Sequence, residues 1–281
     1  MLDEKIRAKR LMAARVRLET IRQMMVIGFG HIGGSMSIVE VTGVLYGGEM
    51  RLDPQNPRWE ERDKLVCSKG HAGPAIYAAL ALRGFFPMDW LDTLKQPGTK
   101  LPSHCDRTKT PGIDLTTGSL GQGLSGAVGL ALAARADARD CYTYCITGDG
   151  ECQEGQIWEA AMVAAHYKLD HLVCFIDKNN KQIDGTIEQV NDITNFSERF
   201  GAFRWNTYEV DGHDIRAIAE TVEKAKSHSG KPSVIVLNTI KGKGCSFVES
   251  LGYNHHLPMP RAECEAEIAR IREEIAQIEK E

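Results

Sequence analysis

The sequence predicts an α/β protein, a parallel sheet with helices on both faces. Two observations carry that expectation. Residues 142–147 and 172–176 are apolar and rich in strand formers, and they flank an amphipathic helical stretch at 154–167. Two strands around one helix make a βαβ unit, which needs a parallel sheet and a right-handed crossover. Farther on, a helical run at 215–227 leads into the β-branched run Ser-Val-Ile-Val-Leu-Asn at 233–238. No internal repeat, low-complexity segment or linker divides the 281 residues, so one domain over 1–281 is the simplest division.

The chain in order supports this reading. Residues 2–25 form an Arg-, Ala- and Leu-rich helix pattern. Gly28-Phe29-Gly30-His31-Ile32-Gly33 follows, a G-x-G-x-x-G run with Asp53 twenty residues beyond. A dinucleotide site would require a strand before the glycines and another ending at the acid, and the sequence offers neither. A second such run, Gly121 to Gly126, fails the same test. Residues 35–46 read as a helix, 53–57 as a loop, 64–67 as a short strand and 74–82 as a helix. His71 thus lies at a strand-to-helix junction. A Pro/Gly-rich loop at 96–111 carries His104, and Gly118-Ser119-Leu120-Gly121-Gln122-Gly123 opens a helix at 124–135. Residues 191–205 are mixed, with one short helix. Tyr208-Glu209-Val210 runs into Asp211-Gly212-His213-Asp214, and a charged helix at 261–280 ends the sequence.

Composition narrows the function. Hydrophobic content of 42% and charged content of 26% fit an ordinary globular protein, and a formal net charge of −4 without a basic block argues against nucleic acid or anionic membrane as partner. Apolar stretches are too short to span a bilayer, and the first residues lack an apolar signal core, so a cytoplasmic location is expected. None of the eight cysteines forms Cys-x-x-Cys, and they read as buried thiols rather than a disulfide framework or a zinc site.

In a parallel sheet ligands bind beyond the carboxyl ends of the strands, which brings Asp149 and Asn179 to one edge although thirty residues separate them. A carboxylate, an amide oxygen and a backbone carbonyl are hard donors suited to Mg²⁺, which keeps phosphate oxygens in its shell. Gly148 and Gly150 allow close backbone approach to a diphosphate, and a helix beginning near Glu154 would offer N–H groups to it. Gly-Asp-Gly after one strand and Asn-Asn after the next resembles the thiamine diphosphate motif.

Four separated stretches extend the resemblance: Gly-Phe-Gly-His at 28–31, Ser-Lys-Gly-His-Ala at 68–72, Thr-Gly-Ser-Leu-Gly-Gln-Gly-Leu-Ser at 117–125 and Gly-Asp-Gly-Glu-Cys-Gln-Glu-Gly at 148–155. Together, in order and over nearly the whole chain, they resemble the diphosphate-binding domain of transketolase, and above all the amino-terminal subunit of its split, two-chain form. The resemblance implies a thiamine diphosphate-binding fold and transfer of a two-carbon ketol unit from a ketose phosphate to an aldose phosphate. It implies Mg²⁺ (with Ca²⁺ or Mn²⁺ as substitutes) on Asp149, Asn179 and the Lys181 carbonyl. Cofactor contacts would fall to His71, Gly118, Ser119, Leu120, Gly150, Glu154, Asn179, Ile183, Lys241 and His255. Glu154 resembles a family glutamate that communicates between sites at the interface. His31, His71, His104 and His255 match histidines that meet substrate and move protons, work for which a pKa near neutrality suits the imidazole. The loop reads Tyr253-Asn254-His255-His256, so His256 rivals His255 for that role.

Full-length transketolase carries a further pyrimidine-binding domain, with the activating glutamate and the residues that hold the sugar phosphate. The resemblance therefore implies a separate carboxy-terminal subunit, an α2β2 assembly and no activity of this chain alone. Three other readings stay open: an α-ketoacid dehydrogenase-type or deoxyxylulose phosphate synthase-like subunit, a non-catalytic scaffold, and a transketolase specialised for an unusual sugar phosphate.

Overall fold

The computed structural model describes residues 2–281. Its elements run α1 (Leu2–Ile27), β1 (Phe29–Gly30), α2 (Ile32–Met36), α3 (Val39–Val44), β2 (Lys64–Cys67), α4 (Gly73–Leu82) and α5 (Gln122–Ala136). There follow β3 (Thr143–Gly148), α6 (Gly155–His166), β4 (Leu172–Lys178), α7 (Ile187–Asn191), α8 (Phe196–Ala202), β5 (Asn206–Asp211), α9 (Ile215–Lys226), β6 (Ser233–Asn238), α10 (Ser246–Glu249), β7 (Leu257–Pro258) and α11 (Arg261–Lys280). Five strands form a sheet in the order β2-β3-β4-β6-β5, every pair parallel. The short β1 and β7 pair antiparallel apart from it.

The sheet is buried on both faces, and strand alternation divides the core in two. Leu65, Tyr144, Ile146, Val173, Phe175, Ile235 and Leu237 face a layer that includes residues of α1, α3, α4, α9 and α11. Val66, Cys145, Cys174, Ile176, Val234 and Val236 face a second layer with residues of α5, α6 and α8. The predicted strands at 64–67 and 233–238 and the helix at 261–280 form at those bounds. The short helix expected within 191–205 is α8, capped by the Asn195 side chain; α7, just before it, starts on a capping box at Thr186. All eight cysteines are buried and unpaired. No helix among the described residues is long and apolar enough to cross a membrane.

One local expectation fails. The helix expected over 35–46 breaks into α2, α3 and a π turn at Leu45–Glu49. α3 packs closely on α1: a Cβ on Gly43 would lie 2.5 Å from the Ala13 Cβ and 2.7 Å from its Cα. The helix expected to start near Glu154 does so, as α6 with Glu154 at its N-cap, and a 3₁₀ turn, Gly150–Gln153, separates it from Asp149.

Overpacking of the kind a side chain at Gly43 would cause costs about 1–3 kcal/mol. Gly43→Ala is therefore expected to lower urea-unfolding stability by that amount. Gly129→Ala, within α5 with no heavy atom within 4 Å of the added Cβ, should instead be neutral or stabilising by up to ~1 kcal/mol.

Candidate active site

The strand ends converge as the parallel topology requires. His71 follows β2, Asp149 follows β3, Asn179 follows β4 and Lys241 follows β6. These four strands are neighbours in the sheet, so four distant stretches meet at one edge. There His71, Leu120, Asp149, Gly150, Asn179, Lys181, Ile183, Lys241 and His255 line one cavity of about 350 Å³. A larger cavity, about 790 Å³, lies between residues 56–64 and 107–114 and holds none of the predicted site residues.

The oxygen donors are gathered and oriented. Asp149 is buried; its carboxylate accepts from Gly150 N at 2.8 Å and from Asn180 N at 2.5 Å. Asn180 holds φ at +56°, a left-handed conformation that asparagine tolerates. Asn179 Oδ1 accepts from Lys181 N at 3.1 Å, and the Lys181 carbonyl accepts from Lys241 Nζ at 2.8 Å. Burial, and then the charge of Asp177, push the Asp149 carboxyl up to about 7. Such a carboxylate is stabilised by a cation, and the hard oxygens that Asp149, Asn179 and Lys181 bring to one cavity suit a divalent one. The approach to it is cut close: a Cβ on Gly150 would meet Gln182 Oε1 at 2.5 Å. The chemistry of this donor set is that of a divalent-cation site.

The same cavity is also lined by buried charges to which the motifs assign no role. Lys69 donates to Asp177 at 2.5 Å and to the Gly34 carbonyl at 2.8 Å. Asp177 also accepts from Ser37 at 2.6 Å, from Asn179 at 2.8 Å and from Thr239. Burial opposes its charge, but Lys69 and the hydroxyls outweigh that and hold its carboxyl below the usual range. Glu151 accepts from Ser68, and from the amides of Gly121 and Gly148 at 2.9 Å each, fixing the glycine turns of two motifs on one carboxylate. A charged residue within or just after an apolar strand is the one signal that could have found Lys69 and Asp177.

The histidines stand together at the cavity's side. The His31 ring lies 5.4 Å from His71, 5.7 Å from His104, 5.3 Å from His255 and 4.6 Å from His256. His71 and His255 are 4.9 Å apart. Of these, His71 and His255 line the cavity; His256 is on the outer side, 5.5 Å from Phe29. The Nδ1 of His255 is buried with no hydrogen-bond partner among the described residues. Burial, then the neighbouring imidazoles and Lys95, lowers His31 to about 3. Burial and the charges of Lys241 and Lys69 lower His255 to about 4, and His71 and His104 are lowered too. At neutral pH these imidazoles are uncharged, each with one donor and one acceptor nitrogen.

Three predicted cofactor residues do not line the cavity. Gly118, at φ +139°, lies against His104, where a Cβ would come within 2.9 Å of its ring. Ser119 is exposed. Glu154 is exposed beside Gly121, where a Cβ on the glycine would meet the Glu154 Cβ at 2.7 Å.

The depressed histidines carry a stability consequence. A base whose folded pKa lies below its unfolded value contributes stability above the unfolded pKa and loses it as pH falls toward the folded one. The melting temperature is expected to fall between about pH 6.5 and pH 4, and His31→Gln should flatten that limb in a pH series of thermal melts.

Comparison with known proteins agrees with this arrangement. Residues 8–276 match the family model described as transketolase, thiamine diphosphate binding domain. A 6-deoxy-6-sulfo-D-fructose transketolase subunit of Clostridium sp. (strain MSTE9) is 51% identical over 92% of this chain and 94% of its own length. One of the subunits of an apulose-4-phosphate transketolase from Phocaeicola vulgatus is 40% identical over 90% and 89%. The transketolase crystal structure from Campylobacter jejuni superposes with a TM-score of 0.84 at 28% identity, covering 97% of this chain and 48% of that one. The chain thus spans about half the length of that solved transketolase. With the motifs, the sheet and the convergent donors in agreement, this chain belongs to the transketolase family as its amino-terminal, thiamine diphosphate-binding part.

Proposed function

We propose that this chain is half of a two-chain transketolase, its 281 residues forming one diphosphate-binding domain. It holds thiamine diphosphate through a Mg²⁺ on Asp149, Asn179 and the Lys181 carbonyl. The substrates are anionic ketose and aldose molecules, and the partner is a carboxy-terminal subunit with a pyrimidine-binding domain, in an α2β2 assembly. One observation carries the reading: the oxygen donors and His71 and His255 line a single cavity, with His31 and His104 packed beside it. Leu120 and Ile183, also on that cavity, are 40% and 58% exposed, apolar surface that a second subunit would cover.

When bound, the cofactor supplies the carbon nucleophile needed to cleave the bond beside a ketose carbonyl. The protein's part is position and proton traffic. Asp149 and Asn179 supply oxygens to the cation, while Lys241, lowered to about 8 by burial and the Lys69 charge, presents its ammonium to the same cavity. Neutral His31, His71, His104 and His255 accept or donate hydrogen bonds to sugar hydroxyls and hold the protons that move between them. Of the adjacent pair, His255 is the better candidate, because it lines the cavity and keeps an unpartnered nitrogen.

Two measurements test the proposal. Ketol transfer from xylulose 5-phosphate to ribose 5-phosphate should require both chains; turnover by this chain alone would refute the split site, and pyruvate as preferred donor would point to the ketoacid dehydrogenase class. Calorimetric titration should show Mg²⁺-dependent binding of thiamine diphosphate to the pair. Asp149→Ala should weaken it by at least ~100-fold, as loss of a charged metal ligand requires.

A further inference from the structure

Beyond the histidines, on the side away from the diphosphate donors, stands a cation that the reaction as described leaves unused. Lys95 follows a 3₁₀ turn, Met88–Thr93, and its N–H donates to the Leu101 carbonyl at 3.0 Å, closing the loop that leads to His104. It is half-buried, and its φ is +60°, a left-handed conformation costly for a lysine. Strain of this sort persists where the surroundings over-determine it and is concentrated at ligand-binding sites. The ammonium lies over the Phe29 ring, 5.0 Å from its centroid. Phe29 is 5.5 Å from His256, and His256 is 4.6 Å from His31.

The electrostatics distinguish Lys95 from the cations deeper in the site. Lys69 is paired with Asp177, and Lys241 feels both Asp149 and Asp177. Burial alone acts on Lys95, without an acidic neighbour among the described residues to offset it. Its positive charge nevertheless reaches His31, His104 and His256, lowering all three. A half-buried ammonium without a counter-ion is a standing cost that an incoming anion removes. Lys95 thus stands on one side of the imidazole cluster, and Lys69 and Lys241 stand on the other, beside His71 and His255.

We propose that Lys95 is a specificity-determining residue that receives the terminal anionic group, phosphate or sulfonate, of the sugar lying across the histidine cluster. This rests on the transketolase reading above and deepens it: part of the anion recognition expected wholly on the partner subunit falls to this chain. A phosphate dianion and a sulfonate monoanion both satisfy an ammonium, so the two classes of donor are separated by measurement.

The experiment compares donors in the reconstituted pair. Lys95→Met keeps the stem over Phe29 and removes the charge. It is expected to raise KM for xylulose 5-phosphate, or for 6-deoxy-6-sulfofructose if that is the better donor, by roughly 10- to 100-fold, the range of one charge-assisted contact. KM for the uncharged donor erythrulose should stay within about twofold, kcat for it should be unchanged, and Lys95→Arg should restore most of the loss. Equal losses on charged and uncharged donors would mean a structural role and overturn the proposal, as would no change on either. If the wild-type pair turns over none of these donors, ketol transfer from these sugars fails as the reading, and a second measurement still decides the role of Lys95. In that measurement inorganic phosphate is titrated into the chain and followed by histidine side-chain NMR. Shifts at His104 and His256 that vanish in Lys95→Met while those at His71 persist support an anion site at Lys95; shifts identical in both proteins overturn it.

Discussion

The Asp177 carboxylate is the point on which this site depends. It stands near the end of the central strand, fully buried, and accepts from Lys69, Ser37, Asn179 and Thr239. Those donors come from four different stretches of chain, so one charge fixes the α2–α3 junction, the turn after β2, the loop after β4 and the loop after β6. The pair with Lys69 is enclosed, and leaving either member unpaired in such surroundings costs about 3–5 kcal/mol. A buried ion pair is an expensive way to hold loops together, and apolar packing would be as stable. What it adds is direction: each hydroxyl, amide and ammonium donor is aimed at one point, and the groups beside them are aimed with it. Asn179 illustrates this, since its Nδ2 is committed to Asp177 and its Oδ1 is thereby turned toward the Lys181 amide.

The same enclosure sets the protonation of everything nearby. Two carboxylates stand at adjacent strand ends with different fates. Asp177 has Lys69 against it and keeps its charge; Asp149 has only amide donors and a more distant lysine, and its carboxyl rises to about 7. The difference assigns one to structure and leaves the other available to a cation. The histidines are governed by burial together with one another's proximity, so each ring discourages protonation of the next.

Much of this is legible in the sequence, and the remainder is not for definite reasons. The run Ser233–Asn238 announces a buried parallel strand by β-branching alone, and Arg261–Lys280 announces a helix by length and charge pattern. Asp149, Asn179 and His71 stand out because they follow strands of the parallel sheet, where ligands bind, and His31, His104 and His255 stand out by the resemblance alone. The close packing of α3 on α1 is hidden because it rests on Ala13 approaching Gly43, a contact between distant residues. Lys69, Asp177 and Glu151 escape notice because their partners are remote: Ser68 and Glu151 lie 83 residues apart, and Lys69 and Asp177 lie 108 apart. His255 and His256 cannot be ranked by sequence, since adjacent residues in a loop take their directions from tertiary packing.

Concentrating every donor at one end of the sheet leaves the other end chemically idle. The amino ends of the five strands, at Lys64, Thr143, Leu172, Asn206 and Ser233, carry no residue assigned to the site. The turn joining α9 to β6 is on that side and exposed at 227–229 and 231. It is a natural handle for engineering: a tether, a fluorophore or a genetic fusion there would leave the catalytic face open, and the chain could be fixed to a sensor surface in a single orientation with its cavity toward the solution.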